Sequence, residues 1–121
     1  MKKILVAEDD KFLSNAYRVK LAKAGFEAKI VTDGLATMEA LKTFIPDLIL
    51  LDLVMPRKDG FAVLKELQAD EKLKSIPVLV ASNLGQKEDI NKAMALGAKD
   101  FVVKSNMSLN QLIQKITSLI K

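Results

Sequence analysis

Leu48-Ile49-Leu50-Leu51-Asp52 sets four consecutive aliphatic residues directly against a carboxylate, with Pro46-Asp47 before the run and Met55-Pro56 after it. An unbroken apolar run of this length between turn residues predicts a strand buried on both faces of a parallel sheet. Its last residue is the exception. An ionised carboxylate drawn toward an apolar interior costs several kcal/mol unless a cation or a metal compensates it. Asp52 therefore needs partners.

Upstream, Lys3-Ile4-Leu5-Val6-Ala7 is a second strand of the buried type, and it ends in Glu8-Asp9-Asp10. From Lys11 to Ala24, Leu13, Ala16, Tyr17 and Leu21 recur at helical spacing, and Gly25 is placed as a C-terminal stop. Phe26 to Val31 alternates apolar with polar residues, which predicts a half-exposed strand near a sheet edge. Asp33 is placed to cap a helix carrying Ala40, Leu41 and Phe44 on one face, and Pro46 prevents that helix from continuing.

Downstream, Leu53 to Gly60 reads as a loop by its Pro and Asp-Gly signals, and Gly60, Val63, Leu64 and Leu67 mark the next helix face. Ile76 to Ala81 is a fourth strand, with Pro77 where a missing donor matters least, and Ser82-Asn83 follows it. Ile90, Ala93, Met94 and Gly97 give a further helix face, and Phe101-Val102-Val103 is a fifth strand running into Lys104. Ser108 and Gln111 fit a capping box, ahead of Leu109, Leu112, Ile113, Ile116, Leu119 and Ile120 at helical spacing. Strands thus alternate with helices along the whole chain. Right-handed crossovers turn that order into an α/β fold, an open, doubly wound parallel sheet whose ligands bind beyond the carboxyl ends of the strands.

Composition narrows the chemistry. A chain of 121 residues fits one domain with one core. It has neither cysteine nor histidine, which removes disulfides, Cys-based metal or haem sites and the commonest general base. The 19 Lys and Arg against 15 Asp and Glu give a net charge of +4, scattered and with little aromatic interleaving, which predicts a solvated lysine-rich surface and no direct nucleic-acid partner. No signal-peptide core and no run of about 18 apolar residues is present, so a cytoplasmic location without membrane contact is expected.

The strand ends bring Glu8-Asp9, Asp52, Ser82 and Lys104 to one edge of that sheet. Carboxylates from neighbouring strands repel one another, and a divalent cation relieves the repulsion. Oxygen ligands with room for water suit Mg2+, with Mn2+ as an alternative. Lys104 supplies a point charge for phosphate and Ser82 a hydroxyl donor. The set describes a cradle for a phosphoryl group beside a carboxylate nucleophile. Structural roles are also open to these residues. Asp10 reads as a helix cap, and Glu8 and Asp9 could charge the same helix terminus. Ser82 could form a turn, Lys104 could pair with Asp52, and Phe101 could be core.

With these residues in place the chain resembles the receiver domain of two-component response regulators. The resemblance covers essentially the whole chain. It is carried by the acidic pair in Leu5-Val6-Ala7-Glu8-Asp9, by Leu51-Asp52-Leu53-Val54-Met55-Pro56 with Asp59-Gly60, by Ser82, and by Gly97-Ala98-Lys99-Asp100-Phe101-Val102-Val103-Lys104. It implies a flavodoxin-like sheet in the order 2-1-3-4-5. It implies that Asp52 accepts a phosphoryl group from a sensor histidine kinase, a phosphotransfer protein or a small phosphodonor. Metal binding is implied for Asp9 and Asp52 directly, for Glu8 through water, and for the backbone carbonyl of Val54. Lys104 is expected to bind the phosphoryl oxygens. Ser82 and Phe101 are expected to form a switch that remodels the face of the fourth helix, fifth strand and fifth helix for a downstream protein.

The sequence departs from the family pattern at two places. Ser105 stands where the family places a proline after a cis bond, and a cis bond to a non-proline residue costs about 2.5 to 4 kcal/mol, which puts the Lys104-Ser105 loop in question. Val54 and Leu84, two positions beyond Asp52 and Ser82, are apolar and unable to orient a hydrolytic water, so slow autodephosphorylation is expected. The reading is a single receiver domain over residues 1–121 without an output domain, regulatory and not an enzyme, and a monomer or phosphorylation-dependent dimer. Its competitors are a pseudo-receiver that binds partners without phosphate and a Mg2+-dependent phosphatase using Asp52. The second lacks an Asp-x-Asp pair at Asp52, since Val54 stands there.

Overall fold

Five strands, β1 (Lys3–Ala7), β2 (Glu27–Val31), β3 (Leu48–Leu51), β4 (Val78–Ser82) and β5 (Asp100–Val103), pair in parallel in the order β2-β1-β3-β4-β5. This computed structural model describes residues 1–120. The helices between and after the strands are α1 (Lys11–Lys23), α2 (Gly34–Ala40), α3 (Gly60–Ala69), α4 (Lys87–Ala95) and α5 (Leu109–Leu119), and a short 3-10 turn, Lys104–Asn106, follows β5.

The aliphatic run at Leu48–Leu51 is buried along its whole length, as a central strand requires. Alternate residues feed opposite faces of the sheet. Ile49 and Leu51 join Leu5, Ala7 and Val80 in a core closed by Leu41 after α2, Val63 and Leu67 of α3 and Ala93 of α4. Leu48 and Leu50 join Ile4, Val6 and Leu79 in a second core closed by Tyr17 and Leu21 of α1 and by Leu112 and Ile116 of α5. Each fully buried aliphatic side chain contributes about 1.5 to 3 kcal/mol relative to an exposed one.

The caps follow the expected chemistry. Asp10 accepts from Leu13 N–H at 2.9 Å, Asp33 from Ala36 N–H at 2.7 Å, and Asp59 from Ala62 N–H at 2.9 Å. Ser108 and Gln111 form the reciprocal capping box. Gly25, at φ +90°, ends α1 as the stop residue.

Two element boundaries differ from the sequence reading. The helix expected to carry Leu41 and Phe44 ends at Ala40 and continues as a turn, which still packs Leu41 into the core. On α4 only Ala93 is buried, Met94 is 42 % exposed, and Gly97 lies beyond the helix at φ +102°. Gly97 therefore stops the helix and is not part of its apolar face.

Candidate functional site

The carboxyl ends of β1, β3, β4 and β5 converge on one cleft lined by Glu8, Asp9, Asp10, Asp52, Val54, Ser82, Asn83, Leu84 and Lys104. Parallel register explains the convergence. Ala7 pairs with Leu51 and Ser82 with Val103, so the residues that follow β1, β3 and β5 emerge at one level with the end of β4. Backbone bonds carry the alignment past the strands. Asp52 N–H donates to the Ala7 carbonyl at 3.0 Å, and Glu8 N–H to the Val31 carbonyl at 3.0 Å.

Asp52 and Glu8 are buried at 7 % and 2 % exposure, whereas Asp9 is exposed. Lys104 supplies the compensating charge. Its ammonium donates to Asp52 Oδ2 at 3.0 Å and to Glu8 Oε1. Val54 N–H donates to Asp52 Oδ1 at 3.3 Å, and Asp10 N–H donates to Glu8 Oε2 at 3.2 Å. Two buried carboxylates thus share one cation. Burial, followed by the charge of Asp52, holds the Glu8 pKa above its ordinary value despite the Lys104 bond. Burial disfavours the Lys104 ammonium, but the Glu8 hydrogen bond and the charge of Asp52 outweigh it and hold its pKa above the usual lysine value.

Glu8, Asp9 and Asp52 each present a carboxylate oxygen, all within 4.8 Å of one another. Three hard oxygen donors at this spacing, with excess negative charge and one side open to water, fit Mg2+ or Mn2+. Ser82 is fully buried at the end of β4, and its Oγ accepts from Leu84 N–H at 3.2 Å.

A sequence model of the response regulator receiver domain matches residues 4–117. The chain belongs to the receiver domain family of two-component response regulators. It is 32% identical to the transcriptional regulator RpaA of Synechocystis over all of this chain and 50% of that protein, and it spans about half the length of most such curated relatives. Among solved structures it is similar to the phosphorylated cyanobacterial phytochrome response regulator RcpA, at 36% identity and TM-score 0.85 over 98% of this chain and 90% of that one. It is equally similar in fold to the Mn2+-bound response regulator Rcp1, at 33% identity and TM-score 0.85 over 98% and 91% of the two chains.

Within this receiver domain the structure brings together Glu8, Asp9, Asp52, Val54, Ser82 and Lys104. Phe101 lies outside the cleft, partly buried against the α3 side of the core. It pairs in register with Val80, two residues before Ser82, so Phe101 and Ser82 stand on the same face of the sheet. The Lys104-Ser105 bond is trans, as are all peptide bonds among the described residues, and the 3-10 turn that opens at Lys104 still delivers its ammonium to Asp52.

Two residues near the receiver site have surroundings that a reading of motifs does not give. Gly60 reads as part of a helix face, yet a Cβ there would stand 2.4 Å from the Asp52 carbonyl oxygen, so the glycine allows α3 to start directly against the Asp52 backbone. Tyr17, 2 % exposed on α1, reads as core. Burial, and then the charges of Glu8, Asp52 and Asp10, raise the pKa of its phenol. Its position on the inward side of the helix that follows the acidic triplet is the one signal that places it near them. No described helix is long and apolar enough to cross a membrane.

Proposed function

We propose that this receiver domain is a phosphorylation-operated switch in which Asp52 is the phosphoacceptor. The observation that carries the reading is the buried Asp52 carboxylate held at 3.0 Å by the Lys104 ammonium, within reach of the Glu8 and Asp9 oxygens. A structural ion pair needs one carboxylate for one ammonium; this site keeps an excess of carboxylates in a cleft open to solvent.

In the proposed reaction an oxygen of Asp52 forms a bond to the phosphorus of a phosphohistidine from a kinase or phosphotransfer protein. The phosphorus–nitrogen bond breaks, its electron pair returns to the donor imidazole, and the product is an aspartyl phosphate. Glu8, Asp9, Asp52 and the Val54 carbonyl are the residues that would hold Mg2+, which supplies charge neutralisation between carboxylates and phosphoryl oxygens. Lys104 exchanges its bond to Asp52 for one to a phosphoryl oxygen, already in position when the group arrives. Ser82 gives up its Leu84 contact and turns its hydroxyl to the phosphoryl group. Phe101, on the same face, then repacks, and the α4–β5–α5 surface changes for a downstream protein.

The test compares the wild type with Asp52→Asn on addition of beryllofluoride and Mg2+, followed by two-dimensional NMR. Signals that shift from Asp52 out to Ser82, Phe101 and α4 in the wild type alone support the switch. A wild type that fails to respond leaves an interaction module without phosphate chemistry.

A further inference from the structure

Arg57 is the single non-glycine residue at positive φ among the described residues, at +67°. It occupies the centre of a tight turn in which Lys58 N–H donates to the Pro56 carbonyl at 2.7 Å. A three-residue turn with its central residue at positive φ is strained, and arginine has no side-chain device that favours the conformation. Strain of this kind persists only where the surroundings over-determine it.

The surroundings come from two directions. On one side, Arg57 Nε stands 3.5 Å from Asp33 Oδ2 in the β2–α2 loop. Asp33 is itself buried and fixed, because its other oxygen caps α2 through Ala36 N–H. The next residue, Gly34, lies so close to the turn that a Cβ would stand 2.0 Å from the Lys58 carbonyl oxygen. On the other side, Gly60 N–H donates to the Leu53 carbonyl at 2.9 Å, and Gly60 sits against the Asp52 carbonyl. The turn is therefore wedged between the β2–α2 loop and the Asp52 backbone.

We infer that Asp33 and Arg57 are positioning residues for Asp52. Their ion pair holds the strained turn, and the turn fixes the Leu53-Val54 backbone from which one N–H reaches Asp52 Oδ1. The inference rests on Asp52 being the phosphoacceptor. Arg57 is largely exposed and adds little to global stability, so its effect is on the geometry of the loop.

The experiment uses Asp33→Asn, Arg57→Ala, Arg57→Lys and the double variant Asp33→Asn/Arg57→Ala. Asp33→Asn removes the charge but keeps a side-chain oxygen to cap α2, so the fold is preserved. Affinity for Mg2+-beryllofluoride is measured by NMR titration, beside thermal unfolding and amide exchange at Lys58 and Gly60. Asp33→Asn and Arg57→Ala should each bind about 5-fold more weakly, the double variant no more weakly than the worse single, and Arg57→Lys should recover part of the loss. Exchange at Lys58 and Gly60 should quicken while the unfolding midpoint stays near wild type. If the wild type binds and the variants match it, or the two losses multiply, the positioning role falls and the phosphoacceptor reading stands. If the wild type itself does not bind, the phosphoacceptor reading falls and takes the positioning role with it.

Discussion

Lys104 Nζ donates to Asp52 Oδ2 at 3.0 Å across 52 residues of sequence, and the same ammonium bonds Glu8. The resting site thus holds an internal cation where it would otherwise hold unpaired charge.

Lys104→Ala should expose what that cation does. Breaking a buried pair leaves uncompensated charge, and a loss of about 3 kcal/mol of stability is expected in the absence of divalent metal. Saturating Mg2+ should restore most of it, since an ion bound only to the folded state at about 100 times its dissociation constant adds about 2.7 kcal/mol. Chemical denaturation with and without Mg2+ checks both parts. An equal loss under the two conditions would sink the idea that lysine and metal serve the same carboxylates.

Tyr17 predicts the alkaline limb of stability. Its folded pKa is raised by burial first and then by the carboxylates, so the neutral phenol's stabilisation is complete below the unfolded value of about 10 and is lost as pH climbs toward the folded one. It is the chain's one tyrosine, and the chain has no tryptophan, so phenolate absorbance reports it without overlap. That absorbance should appear together with unfolding and not before it. Tyr17→Phe should unfold with a shallower dependence on pH above about 10, the remaining slope including Lys104, whose folded pKa is also raised.

Val54 is 57 % exposed at the mouth of the cleft, and Leu84 lines it. Neither side chain can hold a water in line with an aspartyl phosphate. Phosphate release from the loaded protein should take minutes or longer, and Val54→Asn with Leu84→Glu should speed it by about 100-fold, the lower end of the range of positioned general catalysis. Release within seconds from the wild type would contradict the assignment.

Gly60→Ala should disturb the site from behind. Its Cβ would meet the Asp52 carbonyl at 2.4 Å and the Leu53 Cα at 2.7 Å, both backbone atoms that cannot swing aside. A destabilisation of about 3 kcal/mol is expected, with weaker Mg2+ binding as Asp52 is displaced. Calorimetry and a metal titration on the same sample would show whether both effects arise together.

The sheet was legible in the sequence because its strands are marked by composition alone. Leu48 to Leu51, short and bounded by proline-containing turns, reads as a central strand, and Phe26 to Val31 alternates as an edge should. The cleft was legible because parallel strands deliver their last residues to one level, which makes Glu8, Asp52, Ser82 and Lys104 neighbours without any knowledge of side-chain geometry. What stayed hidden depends on contacts between segments far apart in sequence. Gly60 stands out with Asp59 as a turn and motif residue, but its contact with the Asp52 backbone does not show, and Arg57 looks like a loop charge until its φ and Asp33 are known. The end of α2 was hidden for a different reason. Leu41 and Phe44 reach the core from a turn as well as from a helix, so the apolar spacing fits both.

The three acidic side chains of the cleft differ in depth, with Asp9 exposed and Asp52 and Glu8 buried. That gradient gives the site a threshold. A hydrated cation that entered the proposed metal site would meet Asp9 first, while still able to keep most of its water, before it reached the deeper carboxylates that Lys104 holds. An ion that parts with water reluctantly would then be slowed at the doorstep, and the rate of loading would become a property of the ion's hydration shell as much as of the protein's charge.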